Sequence, residues 1–285
     1  MLLESTGDTT GGVHNRTPPI HTMKLTNETP PCYCPASPLR DITKVDHTTA
    51  GLEALTRGRY LFRGSRLVSW EGDLPLLEDG VHMFSWSNLE RFKGVLPSLY
   101  EAGNMFYECR QLIEFASDMP RLKYGAHMFH MSQSLHRFDS DLASLQDGEM
   151  MFYWCRSLQK LRTNLPSLVK ANSMFNKCDS LGSFDIPTPR LRNAEWMFYG
   201  CRSLRTFRGD LGSLARGRGM FSGCNLDVDS VYHIADCIRT AEQRCEIGIG
   251  VAEDVDWNDL SPALEELGSK NWSVSLSFEH KREVK

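Results

Sequence analysis

The sequence predicts an α/β repeat solenoid of about eight coils of 22–23 residues, each with one short parallel strand, closed by a C-terminal helix-strand-helix-strand cap. Three observations lead there. A phenylalanine recurs at Phe62, Phe84, Phe106, Phe129, Phe152, Phe175, Phe198 and Phe221 with the same companions around it. A leucine column runs beside it without exception: Leu67, Leu89, Leu112, Leu135, Leu158, Leu181, Leu204 and Leu226. After Leu226 the repeat gives way to alternating helical and strand patterns. Self-similarity at such a period is the mark of a solenoid, in which each coil contacts only its neighbours and the terminal coils need capping.

Residues 1–55 are rich in Thr, Pro, Gly and Asn with little apolar periodicity, and read as an extended, partly disordered arm. TTAGLEALTRGRYLF (48–62) supplies a helical turn into the first coil. The solenoid is expected over 56–226. Three residues after each Phe stands a small residue (Ser65, Ser87, Cys109, Ser132, Cys155, Cys178, Cys201, Cys224), suited to a tight inner corner. Three residues after each column leucine comes Trp70, Phe92, Phe115, Phe138, Leu161, Phe184 or Phe207, and a further leucine closes the coil. Stacking aligns like with like into one continuous core. The cap is expected over 227–285: DVDSVYHIADCIRTAEQ is apolar at helical spacing, CEIGIGV alternates like a strand, WNDLSPALEELGSK is helical and stops at Gly268, and NWSVSLSF alternates again. Its two strands are expected to extend the solenoid's sheet while its helices cover the last open apolar face.

The coil, an aromatic, then Cys, Leu, an apolar group and a Pro-containing stretch, resembles the BspA-like leucine-rich repeat family over about residues 60–226. The resemblance implies a leucine-rich-repeat solenoid. The first two coils depart from it by one missing residue and by Ser in place of Cys, and Ala143 and Gly212 replace the proline. Lys270-Asn271-Trp272-Ser273-Val274 is similar to the C-terminal unit of tailed-phage and prophage repeat proteins, commonly worded Lys-Gly-Trp-Thr-Val. That second resemblance implies a tail or tail-associated component.

Several function classes are excluded or disfavoured. A net charge of −4 offers no basic excess for nucleic acid. Apolar runs are short and interrupted by charge, so no membrane insertion is expected, and the start lacks the n- and h-regions of a signal peptide. A cytoplasmic or virion-associated location is the expectation. No nucleophile elbow, P-loop, H-E-x-x-H or dinucleotide fingerprint is present, so neither enzymatic activity nor a cofactor is expected. The column cysteines, parallel at the inter-strand spacing of roughly 4.8 Å, read as reduced thiols acting as small hydrophobes, because a disulfide needs Cβ atoms about 3.8 Å apart and converging. Cys237 and Cys245 flank a turn and could pair, while Cys32 and Cys34 with His47 make a weak zinc motif beside the simpler reading of unstructured thiols. His127, His130 and His136 share a coil, which invites a metal reading, but His127 and His130 bracket the Met-Phe pair at positions that vary among the coils and read as variable surface sites. The sequons at Asn15, Asn27 and Asn271 have no signal peptide to bring them into use. Arg208-Gly209-Asp210 spells an integrin tripeptide, yet repeat alignment makes Gly209 a small inward column and Asp210 a recurring turn residue.

What remains is the strand face. If each coil's aromatic points inward, alternation turns its two neighbours outward. The candidate binding residues are therefore Arg91, Lys93, Glu114, Arg137, Asp139, Lys160, Arg162, Asp185 and Arg208, a ladder of mixed sign suited to a protein or glycan ligand. Two functions compete. One is a non-enzymatic binding module, tail-associated or adhesion-type, attached to a larger assembly through its N-terminal arm. The other is an intracellular scaffold or secreted effector that uses the repeats for protein–protein interaction.

Overall fold

The computed structural model describes residues 52–278 together with Asp41 and Thr43. The arm up to residue 51, with Cys32, Cys34, His47 and the sequons at Asn15 and Asn27, otherwise lies outside the described residues. A 3-10 turn, Leu52–Ala54, leads into the first coil. The coils then carry the strands β1 (Ser69–Glu71), β2 (Arg91–Lys93), β3 (Glu114–Ala116), β4 (Arg137–Asp139), β5 (Lys160–Arg162), β6 (Ser183–Phe184) and β7 (Thr206–Phe207). β1 to β5 form one parallel sheet and β6 and β7 another.

A second ladder runs along the Met-Phe segments. Parallel bridges link Arg57, Asp79, Glu101, Tyr124, Asp147, Lys170, Asn193 and Arg216 in succession. Within it the N–H groups of Gly80, His82, Phe84 and Trp86 donate to the carbonyls of Glu101, Gly103, Met105 and Tyr107 at 2.8–3.0 Å. The equivalent bonds recur at every later step to the last coil. The geometry requires two left-handed residues per coil, four apart: Tyr60 and Gly64, His82 and Trp86, Asn104 and Glu108, and so on to Gly219 and Gly223. Most of these are not glycine, and each such residue costs about 1–2 kcal/mol. Inter-coil hydrogen bonds and core burial offset that cost.

Beneath both ladders lie two aromatic columns. The rings of Phe62 through Phe221 stack nearly parallel, with centroids 5.2–5.5 Å apart. The strand aromatics meet them edge to face, as Phe115 does Phe129 at 5.0 Å, the preferred geometry for ring quadrupoles. The cysteine column carries a hydrogen bond that alternation alone does not reveal. Cys109, Cys155, Cys178, Cys201 and Cys224 each donate Sγ–H to the phenylalanine carbonyl of the preceding coil at 2.9–3.1 Å. Ser132 does the same with Oγ at 2.9 Å. At Ser132 the hydroxyl thus takes over the thiol's bond, whereas Ser65 Oγ is buried without a partner and Ser87 Oγ lies 3.4 Å from Cys109 Sγ. All the described cysteines are free thiols, including Cys237 and Cys245. Burial pushes the thiols of Cys109, Cys155, Cys178 and Cys201 up, Cys109 to about 12. Where proline is absent, the exposed N–H is taken by an aspartate two residues earlier: Ala143 by Asp141 and Gly212 by Asp210.

The Met-Phe segment of the last coil is β8 (Gly217–Leu226), and the cap after it consists of α1 (Val228–Cys237), β9 (Cys245–Val251), α2 (Trp257–Ser269) and β10 (Trp272–Phe278). Asp227 and Asp256 cap the two helices, accepting from the N–H groups of Ser230 and Asn258 at 2.8 Å. The cap strands do not extend the β1–β7 ladder, as sequence reading expects. They form a separate parallel sheet in the order β10-β9-β8, prolonging the Met-Phe ladder. The reason is steric: a Cβ on Gly250 would lie 2.6 Å from the backbone of Cys224, so only a glycine strand can approach the last coil this closely. The open end of the strand ladder is closed by α1 instead, whose Ser230 Oγ accepts from the Phe207 N–H at 3.0 Å. The Lys270-Asn271-Trp272 motif holds this cap together. Lys270 Nζ donates to the Ala235 carbonyl at the C-terminal end of α1, Asn271 Nδ2 to Ala241 and Trp272 Nε1 to Arg239. Asn271 stands at φ 64°, a left-handed position after a helix that suits Asn as well as Gly.

Candidate binding site

Alternation along each short strand settles the strand face. The central residue of each strand is buried, with one exception, while Arg91, Lys93, Glu114, Arg137, Lys160, Arg162 and Asp185 are exposed and Asp139 is half-buried. Register brings Arg91, Glu114, Arg137 and Lys160 side by side on successive strands. Lys93 lies 3.8 Å from Glu71. Asp139 takes Arg137 at 3.0 Å and Arg162 at 3.8 Å. Such exposed pairs contribute about 0–1 kcal/mol each, so the ladder is a patterned surface more than a source of stability. Arg208 behaves differently. Its guanidinium donates to the Phe207 carbonyl and, at 3.1 Å, to Ser230 Oγ of α1, which ties it to the cap. The neighbouring Gly209 is buried, and a Cβ there would lie 2.6 Å from the Phe207 ring. The tripeptide is therefore part of the packing.

The exception is Leu161, half-exposed, the only non-aromatic residue in the strand column. At this step the ladder breaks. Elsewhere the residue entering each strand donates back one coil, as Glu90 to Val68, Ile113 to Glu90, His136 to Ile113, Gln159 to His136 and Arg205 to Gly182. Between β5 and β6 no such bond forms. Three residues account for it. Leu161 supplies no ring to fill the column, Ile186 puts a branched side chain where neighbouring coils carry Ser117, Ser140 and Thr163, and Pro187 lacks the N–H that Val95 and Asp141 give to the aspartate of the preceding coil.

A cleft of about 600 Å³ opens at the break. Leu161, Phe184 and Ile186 form its apolar part, and Asp118, Asp139, Asp141, Arg162, Thr163, Asn164 and Asp185 its polar part. Asp118 and Asp141 are engaged by backbone N–H groups. The Thr163 hydroxyl is buried without a partner, and Asp185 makes no ion pair among the described residues. Four carboxylates against one guanidinium give the cleft an acidic character.

His127 and His130 lie elsewhere, on the Met-Phe ladder, while His136 enters β4. His130 is buried, in contrast to the surface reading, stacked between Tyr107 at 4.9 Å and Tyr153 at 4.7 Å, with its Nδ1 3.2 Å from that of His127. Burial, reinforced by His127, lowers its pKa to about 4. Burial lowers His82 likewise to about 4, with Arg63 adding to the effect. Neutral imidazoles acting as stacked rings account for both. Among the described residues no three His, Cys, Asp or Glu side chains are grouped to hold a metal ion. No described helix is long and apolar enough to cross a membrane.

Short parallel strands at a 22–23 residue repeat, with a leucine column and an inner Cys/Ser corner, define a leucine-rich-repeat solenoid. Residues 101–227 match the BspA type leucine rich repeat region in six copies, and the solenoid is of that type. The first two coils precede the matched stretch yet carry the same strands and columns. No curated protein and no solved structure matches the chain. Leucine-rich repeats generally mediate protein interaction, and the family is generally non-enzymatic.

Proposed function

We propose that the chain is a protein-binding module whose strand face, centred on the cleft between β5 and β6, receives the ligand. The observation that carries this reading is the coincidence of the cleft with the outward ladder: Asp139, Arg162 and Asp185 both face solvent from their strands and line the cleft. The neighbouring Arg91, Lys93, Glu114, Arg137 and Lys160 form the surrounding charged surface, suited to orienting a partner. Arg208 is assigned to cap packing. A mixed-sign surface with an apolar-floored recess fits a protein partner better than a glycan, because no exposed aromatic faces the cleft to stack on a sugar. Attachment of the module to a larger assembly, tail-associated or adhesion-type, rests on the C-terminal resemblance and on the arm preceding the coils.

Charge reversal tests the reading. Arg137→Glu with Lys160→Glu and Arg162→Glu is expected to abolish partner capture while leaving thermal unfolding nearly unchanged, since exposed substitutions shift stability by under about 0.5 kcal/mol. Deleting residues 1–50 is expected to leave that binding intact. Normal capture by the triple variant, with loss in the truncated chain, would transfer recognition to the arm and favour the scaffold reading.

A further inference from the structure

The cap sheet ends in an edge strand that carries none of the usual protections among the described residues. β10, Trp272–Phe278, reads Trp-Ser-Val-Ser-Leu-Ser-Phe and, among the described residues, pairs only with β9. Seven residues contain no charge, proline or glycine, whereas natural edge strands are short, charged, bulged or covered. The direction of its free groups follows from one bond. The Asn271 carbonyl accepts from the Cys245 N–H of β9, so across the trans peptide the Trp272 N–H points the opposite way, to the open edge. Alternation then sends the N–H and C=O groups of Val274, Leu276 and Phe278 to that edge as well.

The pattern is self-complementary. Trp272, Val274 and Leu276 pack toward the core, Phe278 stands beyond them 45% exposed, and Ser273, Ser275 and Ser277 occupy the other face. We propose that β10 pairs antiparallel with β10 of a second copy of this chain about a two-fold axis at Ser275. That register sets Val274 against Leu276 of the second copy, Trp272 against its Phe278, Ser273 against its Ser277, and Ser275 against itself. Each edge-directed residue then faces another, so the pairs exchange about eight N–H···O bonds, while the two Ser275 residues form a non-hydrogen-bonded pair with close side chains. Apolar meets apolar, serine meets serine, and no charge is opposed. The result is one six-stranded sheet across an isologous interface, the commonest symmetry of soluble oligomers. The strand face lies on the other ladder of the solenoid, so the dimer would present two binding faces.

The full-length chain in a dilution series by size exclusion with light scattering is expected to move between 32.4 kDa and twice that mass. Ser275 is exposed in the single chain, so Ser275→Lys leaves the fold intact but opposes two ammonium groups across the axis. That variant is expected to be monomeric, Ser275→Glu likewise, and an equimolar mixture of the two to regain the dimer. Amide exchange at Val274, Leu276 and Phe278 is expected to be slow in the wild type and fast in Ser275→Lys. A wild type monomeric throughout overturns the proposal, and slow exchange of those amides in such a monomer would show that another segment of the chain covers the edge. A dimer that Ser275→Lys leaves unchanged overturns it too, placing the interface elsewhere.

Discussion

Leu161→Phe offers a test that couples packing to recognition. The strand aromatics stack at 5.4 Å for Phe92 on Phe115 and 5.6 Å for Phe115 on Phe138, then the column lapses at Leu161 and resumes with Phe184 on Phe207 at 5.9 Å. A ring at position 161 would stack on Phe138 and Phe184 and meet Phe152 and Phe175 edge to face, as Phe138 meets Phe152 at 4.9 Å. Each aromatic pair contributes about 0.5–1.5 kcal/mol. Part of that sum is lost to the ordering of the ring and to contacts Leu161 already makes, leaving a net gain of about 1–3 kcal/mol. At roughly 2–4 °C per kcal/mol for a unit of this size, the melting temperature by circular dichroism is expected to rise by about 2–12 °C. The same ring would occupy the cleft, so partner capture is expected to fall as stability rises, the usual direction of trade-off at a functional site. A fall in melting temperature would refute the reasoning: the space beside Leu161 would not be a vacant ring position, and the cleft would have another origin.

Leu158→Ala removes a fully buried column leucine and is expected to cost about 2–5 kcal/mol in urea unfolding. Cys155→Ser is expected to be nearly neutral, because Ser132 already makes the equivalent bond to the preceding coil. Cys155→Ala should cost about 0.5–1.5 kcal/mol by losing that bond, and reductant should leave the wild-type melting temperature unchanged. Acid is expected to destabilise the fold through His82 and His130. Their folded pKa values are lowered to about 4 from 6.5, so the unfolded chain takes up protons first, and stability is complete above about pH 6.5 and lost progressively toward pH 4. His130→Phe, which keeps the stack with Tyr107 and Tyr153, should flatten that pH profile in a series of thermal melts.

The coils were legible in the sequence because every inward column repeats in residue type, and the outward pairs followed from the period of two in each short strand. The second ladder was not legible. Its left-handed positions are filled mostly by residues such as Tyr60, His82, Glu108 and Met150, and only at Gly64, Gly200, Gly219 and Gly223 by the glycines that advertise such backbone. Its inward Phe column was legible but the positions flanking it were not, which is why His130 reads as a surface residue and is in fact buried. The same blind spot misplaced the cap strands, which join this ladder and not the strand sheet. A signal for the cleft was present: Leu161 interrupts the aromatic column, and Ile186-Pro187 interrupts the small-residue and aspartate columns one coil later. Only the folded structure shows that these substitutions fall on adjoining coils and part the sheet there.

The most direct test of the binding face is site-specific photocrosslinking, with a photoreactive residue at Ser183, exposed at the cleft, compared with one at Arg192, exposed on the Met-Phe side of the same coil. Partner adducts formed at position 183 and absent at 192 are the predicted result. Adducts at 192 with none at 183 would place recognition on the opposite side of the solenoid and contradict the account.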